Sequence, residues 1–157
     1  MRAITQLPND DLRRAQAAAR MAEAAGLDGG PPPPFCTRRY LEEVRVLRLG
    51  EGLAHAGRAR PALEIVGGGF IATGPDAAAV AKMLDYVRFR IAFYLSTRAY
   101  WDVLRLHGLE ALGEKLHRYP REGRCEEMAA QVPDDVIDLF AVIGTYDTIV
   151  GRIEKRC

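Results

Sequence analysis

Ala62-Leu63-Glu64-Ile65-Val66-Gly67-Gly68-Gly69-Phe70-Ile71-Ala72-Thr73-Gly74-Pro75-Asp76 is the stretch whose reading decides the fold. Apolar and β-branched residues at both ends predict a buried strand from Ala62 to Gly74, and the three central glycines signal a bulge or a close backbone approach. Two readings of those glycines compete: a loop cradling a phosphate, or a strand packed too tightly for side chains. A phosphate loop needs a helix start directly after the glycines, with Lys or Ser/Thr in place. Further apolar and small residues intervene here, which favours tight packing. Thr73-Gly74-Pro75-Asp76 then reads as a helix start, with proline where an amide would be unpaired anyway. That helix is expected to run to about Ser96. Val80, Met83, Leu84, Val87, Ile91 and Tyr94 recur at helical spacing and mark it as a core element. Arg88 and Arg90 near its far end read as a solvated face rather than an anion site.

Working outward toward the N-terminus, Arg2 to Leu7 reads as a short strand stopped by Pro8. Asn9, Asp10 and Asp11 suit the start of a helix over Leu12 to Ala25 that ends at Gly26. Gly29-Gly30-Pro31-Pro32-Pro33-Pro34 can be neither helix nor central strand, so it is a linker or long turn. Thr37 caps a helix from Arg38 to about Ala56, with Leu41, Val44, Leu47 and Leu53 along one side, and Arg58 to Pro61 is a loop. Beyond Thr97 the pattern predicts short helices: Arg98 to Leu106, Leu109 to His117, Glu122 to Ala130, Asp134 to Phe140 and Asp147 to Lys155. Two candidate strands thus accompany seven or eight helices. Two strands alone make no stable sheet in water, so either helices engulf them, with the N-terminal strand beside Glu64 to Ala72, or they join strands outside this chain.

Composition narrows the function classes. With 157 residues, 48% hydrophobic and 27% charged, the chain is a globular protein. Its 22 Lys+Arg against 21 Asp+Glu leave a net charge of +1 and no basic surplus for nucleic acid. The longest apolar run, Phe70 to Ala81, is broken by Gly74, Pro75 and Asp76, so no membrane span is expected. The N-terminus lacks a signal-peptide pattern, and a cytoplasmic location is the expectation. Cys36, Cys125 and Cys157 read as free thiols, and with His55, His107 and His117 well separated no metal-ligand pattern arises.

The tempting side chains each have a structural reading. His107 at a helix end is placed to meet the last carbonyls. Asp134 and Asp135, like Glu126 and Glu127, are adjacent and point to different faces, so neither pair shares a proton. Tyr100 and Trp101 near Tyr94 read as core or partner-facing aromatics, and Cys36 has no base beside it. Catalytic and cofactor-binding residues are therefore left unassigned, and no metal site is expected.

Several phrases carry a family resemblance. Arg39-Tyr40-Leu41-Glu42-Glu43-Val44, Phe70-Ile71-Ala72-Thr73-Gly74-Pro75-Asp76, Ile91-Ala92-Phe93-Tyr94-Leu95-Ser96-Thr97, Leu106-His107-Gly108 and Asp135-Val136-Ile137-Asp138-Leu139-Phe140-Ala141-Val142-Ile143-Gly144-Thr145 resemble the C-terminal part of the luciferase-like monooxygenase superfamily. They are most similar to its bacterial branch of deazaflavin- and flavin-dependent oxidoreductases. The last phrase resembles the segment ahead of the final barrel strand, with Tyr146 where the family usually carries proline. Pro8-Asn9-Asp10 through Ala24-Ala25-Gly26-Leu27-Asp28-Gly29 resembles the family's first strand and helix. The resemblance implies α/β descent: residues 1–29 as the first strand–helix unit of a TIM barrel, 30–35 as a Gly/Pro-rich junction, and 36–157 as C-terminal strand–helix units. It also implies a barrel whose middle is expected to be absent from this chain and whose last strand is expected to lie beyond its end. What remains is expected to be mostly helical, with about two strands and no closed barrel. The resemblance also implies monooxygenase or oxidoreductase chemistry with FMN or the deazaflavin coenzyme F-420, bound weakly or not at all by this chain alone. No cofactor residue carries over, because the family's ring and phosphate contacts come largely from the missing middle. The rival expectation is a helical interaction module that associates with itself, through exposed apolar faces, or with an intact homologous subunit.

Overall fold

The computed structural model describes residues 37–55, 57–59 and 69–156. The expected strand at Arg2 to Leu7, the helix at Leu12 to Ala25, the proline junction, Cys36, Gly67, Gly68 and Cys157 lie outside them. The chain forms two compact units that divide after Gly68.

In the first unit, helix α1 covers 38–55. Thr37 caps it as expected, its buried Oγ1 accepting from the Tyr40 amide at 3.2 Å. Arg38 pairs with Glu42 at 2.7 Å and Arg39 with Glu43 at 2.9 Å, the i to i+4 spacing that a helix surface brings together. The expected apolar stripe does not hold throughout: Leu53 is buried, whereas Leu47 is 61% exposed. The cause is a π-helical segment, Leu41–Val46, between two α-helical ones, Arg38–Tyr40 and Leu47–His55. Bonding from i to i+5 puts an additional residue into each turn and shifts the phase of the face that follows.

The second unit holds strand β1 (Phe70–Gly74), helix α2 (Ala77–Leu95), α3 (Trp101–His107), α4 (Glu110–Arg118), α5 (Asp134–Phe140), strand β2 (Ala141–Thr145) and α6 (Tyr146–Arg156). β1 and β2 pair in parallel, with Phe70 opposite Ala141 and Gly74 opposite Thr145. Among the described residues the partner of β1 is β2, and the expected N-terminal neighbour lies outside them. No strand is assigned from sequence to Ala141–Thr145, which stands only in the phrase resembling the segment ahead of the family's final strand. This segment continues straight out of α5, where an apolar run fits helix and strand alike until a partner strand decides. Only alternate residues of β1 are buried, Ala72 and Gly74, while Ile71 is 46% exposed.

The long helix carries the core. Asp76 Oδ1 accepts from the Ala79 amide at 2.8 Å, so Asp76 is the cap and Pro75 lies outside the helix, not in its first turn. Val87, Ile91, Ala92 and Leu95 are buried, but Met83 is 42% exposed. Around them gather Leu104, Leu116, Met128, Ile137 and Phe140. Arg88 is not a solvated side chain: it donates to the Val132 carbonyl at 2.6 Å and pairs with Asp134, tying α2 to the entry of α5. The expected helix from Glu122 to Ala130 is instead three short 3₁₀ turns, Tyr119–Glu122, Cys125–Glu127 and Ala129–Gln131. Gly123 in the left-handed region (φ 71°) ends the first and prevents one continuous helix. No described helix is long and apolar enough to cross a membrane.

Candidate functional site

In parallel strand–helix units, ligands meet the carboxyl ends of the strands. In this chain that edge consists of Thr73 and Gly74 of β1 beside Gly144 and Thr145 of β2, which the register sets opposite one another. Both glycines are closely approached, Gly74 by backbone and Gly144 by side chains. A Cβ on Gly74 would come 2.6 Å from Ala79 Cβ and 3.1 Å from the Val80 nitrogen, and one on Gly144 would come 2.7 Å from Thr148 Oγ1. The first turns of α2 and α6 therefore sit directly over the strand ends.

The polar groups of this edge are mostly neutral. Thr148 Oγ1 donates to the Thr145 carbonyl at 3.3 Å and lies 3.2 Å from Thr145 Oγ1. Thr73 Oγ1 is buried and has no hydrogen-bond partner, a group that a ligand hydroxyl or carbonyl could satisfy. Asp76 occupies the amino end of α2, and Asp147 lies in the first turn of α6. Each places a carboxylate where the helix dipole would otherwise attract a phosphate. Arg152 passes Gly144 but donates to the Ile143 carbonyl at 2.6 Å. The edge can thus hydrogen-bond a neutral group. No group of metal-ligating side chains occurs among the described residues.

The side chains singled out from sequence lie elsewhere. His107 ends α3, whose last carbonyls, those of Leu104 and Arg105, are met by the amide of Gly108 in the left-handed region (φ 66°). Asp134 pairs with Arg88, and Glu127 with Arg124. Arg124 donates to both carboxylate oxygens of Glu127, at 2.8 and 2.7 Å, and holds that carboxyl below its ordinary range. Tyr94 and Tyr100 meet edge to face at 5.2 Å, and Phe70 lies 5.8 Å from Tyr94, at the opposite end of β1 from the glycine edge. Burial, and then Tyr94, push the Tyr100 hydroxyl above its ordinary pKa. Trp101 stands apart from this group and packs on His117. Sequence reasoning did not single out His117, whose Nδ1 lies 2.7 Å from the Ser96 carbonyl and whose Nε2 is buried without a partner. Nor did it mark Thr73 Oγ1 or Gly144 as groups of one site, since nothing in sequence places two strand ends together.

A family model described as luciferase-like monooxygenase matches residues 36–156. An uncharacterized protein of Mycobacterium tuberculosis is 42% identical over 139 residues, covering 87% of this chain and 41% of that protein. The 5,10-methylenetetrahydromethanopterin reductase of Archaeoglobus fulgidus is 28% identical over 145 residues, covering 89% of this chain and 40% of the reductase. The solved coenzyme F-420 dependent tetrahydromethanopterin reductase from Methanopyrus kandleri is similar with a TM-score of 0.62 at 21% identity, over 82% of this chain and 36% of that one. This chain spans about two fifths of the length of the curated relatives it matches.

Proposed function

The chain belongs to the luciferase-like monooxygenase family, and from that premise we propose that it carries C-terminal strand–helix units of an oxidoreductase barrel that uses a reduced deazaflavin or flavin and is inactive by itself. The observation that carries this reading is the parallel pairing of β1 with β2, each followed directly by a helix. Deazaflavin is favoured over flavin because the solved neighbour is a coenzyme F-420 dependent reductase. Such a group, when bound, supplies hydride transfer. The residues present do not fit it unaided. A ring system of that size needs a concave pocket burying most of its surface, and the glycine edge offers two strand ends, threonine hydroxyls and two opposing carboxylates.

Fluorescence titration of the purified chain with coenzyme F-420 and with FMN tests this. Binding no tighter than about 100 μM is expected, equivalent to roughly 5.5 kcal/mol. Low-micromolar affinity for either would restore a self-sufficient enzyme. A second reading, an interaction module that pairs with a homologous subunit, is favoured by the exposed apolar side chains of α2 and α6: Met83, Tyr86, Phe93, Tyr146 and Val150. A cofactor-free chain that co-elutes with a family barrel would support it.

A further inference from the structure

We propose that Arg152 and Arg156 guard the outer edge of β2 against pairing with a second copy of this chain. Among the described residues the sheet has two strands, and β2 has β1 on one side only. Carbonyls two residues apart leave a strand on the same edge, and those of Ala141 and Ile143 both accept from arginine side chains of α6. Arg152 Nη1 donates to the Ile143 carbonyl at 2.6 Å, and Arg156 Nη1 to the Ala141 carbonyl at 2.8 Å. Arg156 also donates to the carbonyls of Asp138, at 3.1 Å, and Leu139, in the last turn of α5. The two arginines are four residues apart and so share one face of α6, which is why both reach the same edge. Their guanidinium groups stand where the amides of an added strand would have to stand.

The edge needs such a guard. Ala141-Val142-Ile143-Gly144-Thr145 contains neither a charge nor a proline, the residues that ordinarily blunt an exposed strand. An edge of that composition templates pairing, and the complementary strand always present at the protein's own concentration is the same edge of another copy. Two-fold pairing about Ile143 would be antiparallel and self-complementary, with Ala141 facing Thr145 of the other copy. Protection comes from the next helix in place of the strand itself.

Sedimentation velocity over a concentration series, with hydrogen exchange read at the Ile143 amide, tests the guard in the wild-type chain and in R152A/R156A. The double variant is expected to double in mass relative to the wild type at equal concentration. Its Ile143 amide is expected to slow by about tenfold or more as it associates. R152A alone, which leaves Arg156 on the α5 carbonyls, is expected to associate at higher concentration than the double variant. A double variant that keeps the wild-type mass, or that associates with Ile143 exchange unchanged, overturns the proposal. So does a wild-type chain already protected at Ile143 by association. If the double variant does not fold, R152A is judged by the same two readouts.

Discussion

The rings of Trp101 and His117 meet edge to face, with centroids 5.8 Å apart and planes at 78°, and each is bonded to the same helix end. Trp101 Nε1 donates to the Leu95 carbonyl at 3.2 Å, and His117 Nδ1 bonds the Ser96 carbonyl at 2.7 Å. The last carbonyls of a helix have no partner within it. At the end of α2 the Phe93 carbonyl is met by the Ser96 and Thr97 hydroxyls, whereas those of Leu95 and Ser96 are met by side chains from α3 and α4, so that one aromatic pair ties three helices together. W101F keeps most of the ring and loses the donor, so a loss of about 1 kcal/mol is expected in urea denaturation. H117A removes both bond and ring and should cost about 2 kcal/mol. A double variant whose loss equals the sum of the two single losses would show that the ring pair adds nothing, since a favourable pair makes the double loss smaller than the sum.

The exposure of successive α2 residues predicts a graded series. Ile91 is fully buried, Val87 is 3% exposed and Met83 is 42% exposed. I91A should cost about 3 to 4 kcal/mol and V87A about 2 kcal/mol. M83A should stay within about 0.5 kcal/mol, as surface substitutions do. Equal losses at all three positions in chemical denaturation would mean that Met83 is covered in solution.

Periodicity and caps made much of this architecture legible beforehand. The helices Ala77–Leu95 and Asp134–Phe140 stand where apolar spacing puts them, and Thr37 caps as its hydroxyl predicts. β2 was not legible, because Ala141–Thr145 has no turn before it and its strand character comes from pairing with residues about seventy positions earlier. Arg88 was misread for a similar reason. A helical wheel shows which face an arginine leaves by, but not that the Val132 carbonyl waits there. The glycines of the candidate edge were visible as glycines, whereas the helices crowding them are tertiary facts.

Glycine crowding gives a prediction with three different outcomes. At Gly74 the obstacle includes backbone, at Ala79 and Val80, so G74A should cost about 2 to 3 kcal/mol by overpacking. At Gly144 the obstacles are the side chains of Thr148 and Arg152, which can turn aside, and G144A should cost about 1 kcal/mol. Gly151, within α6, has nothing within 4 Å of an added Cβ, so G151A should stabilise by about 0.5 to 1 kcal/mol. Thermal unfolding of the three variants checks the order, and a neutral G74A would contradict the close approach of α2 to the strand end.

The last prediction concerns acid. Arg124 grips Glu127 with two bonds and Glu122 at 3.0 Å, and its guanidinium lies 4.8 Å above the Tyr119 ring. The carboxyl of Glu127 is held below its ordinary value chiefly by these bonds from Arg124. A carboxyl depressed in the folded state contributes its stabilisation in full above its unfolded pKa and loses it as pH falls through the folded value. The wild type should therefore exceed E127Q in Tm at pH 7, and the gap should close on acidification from about pH 5 to pH 3. Because the cluster is exposed to solvent, the gap should be small and should shrink further in about 1 M salt. A difference between the two proteins that is flat from pH 7 to pH 3 would mean that Arg124 and Glu127 do not hold each other in solution.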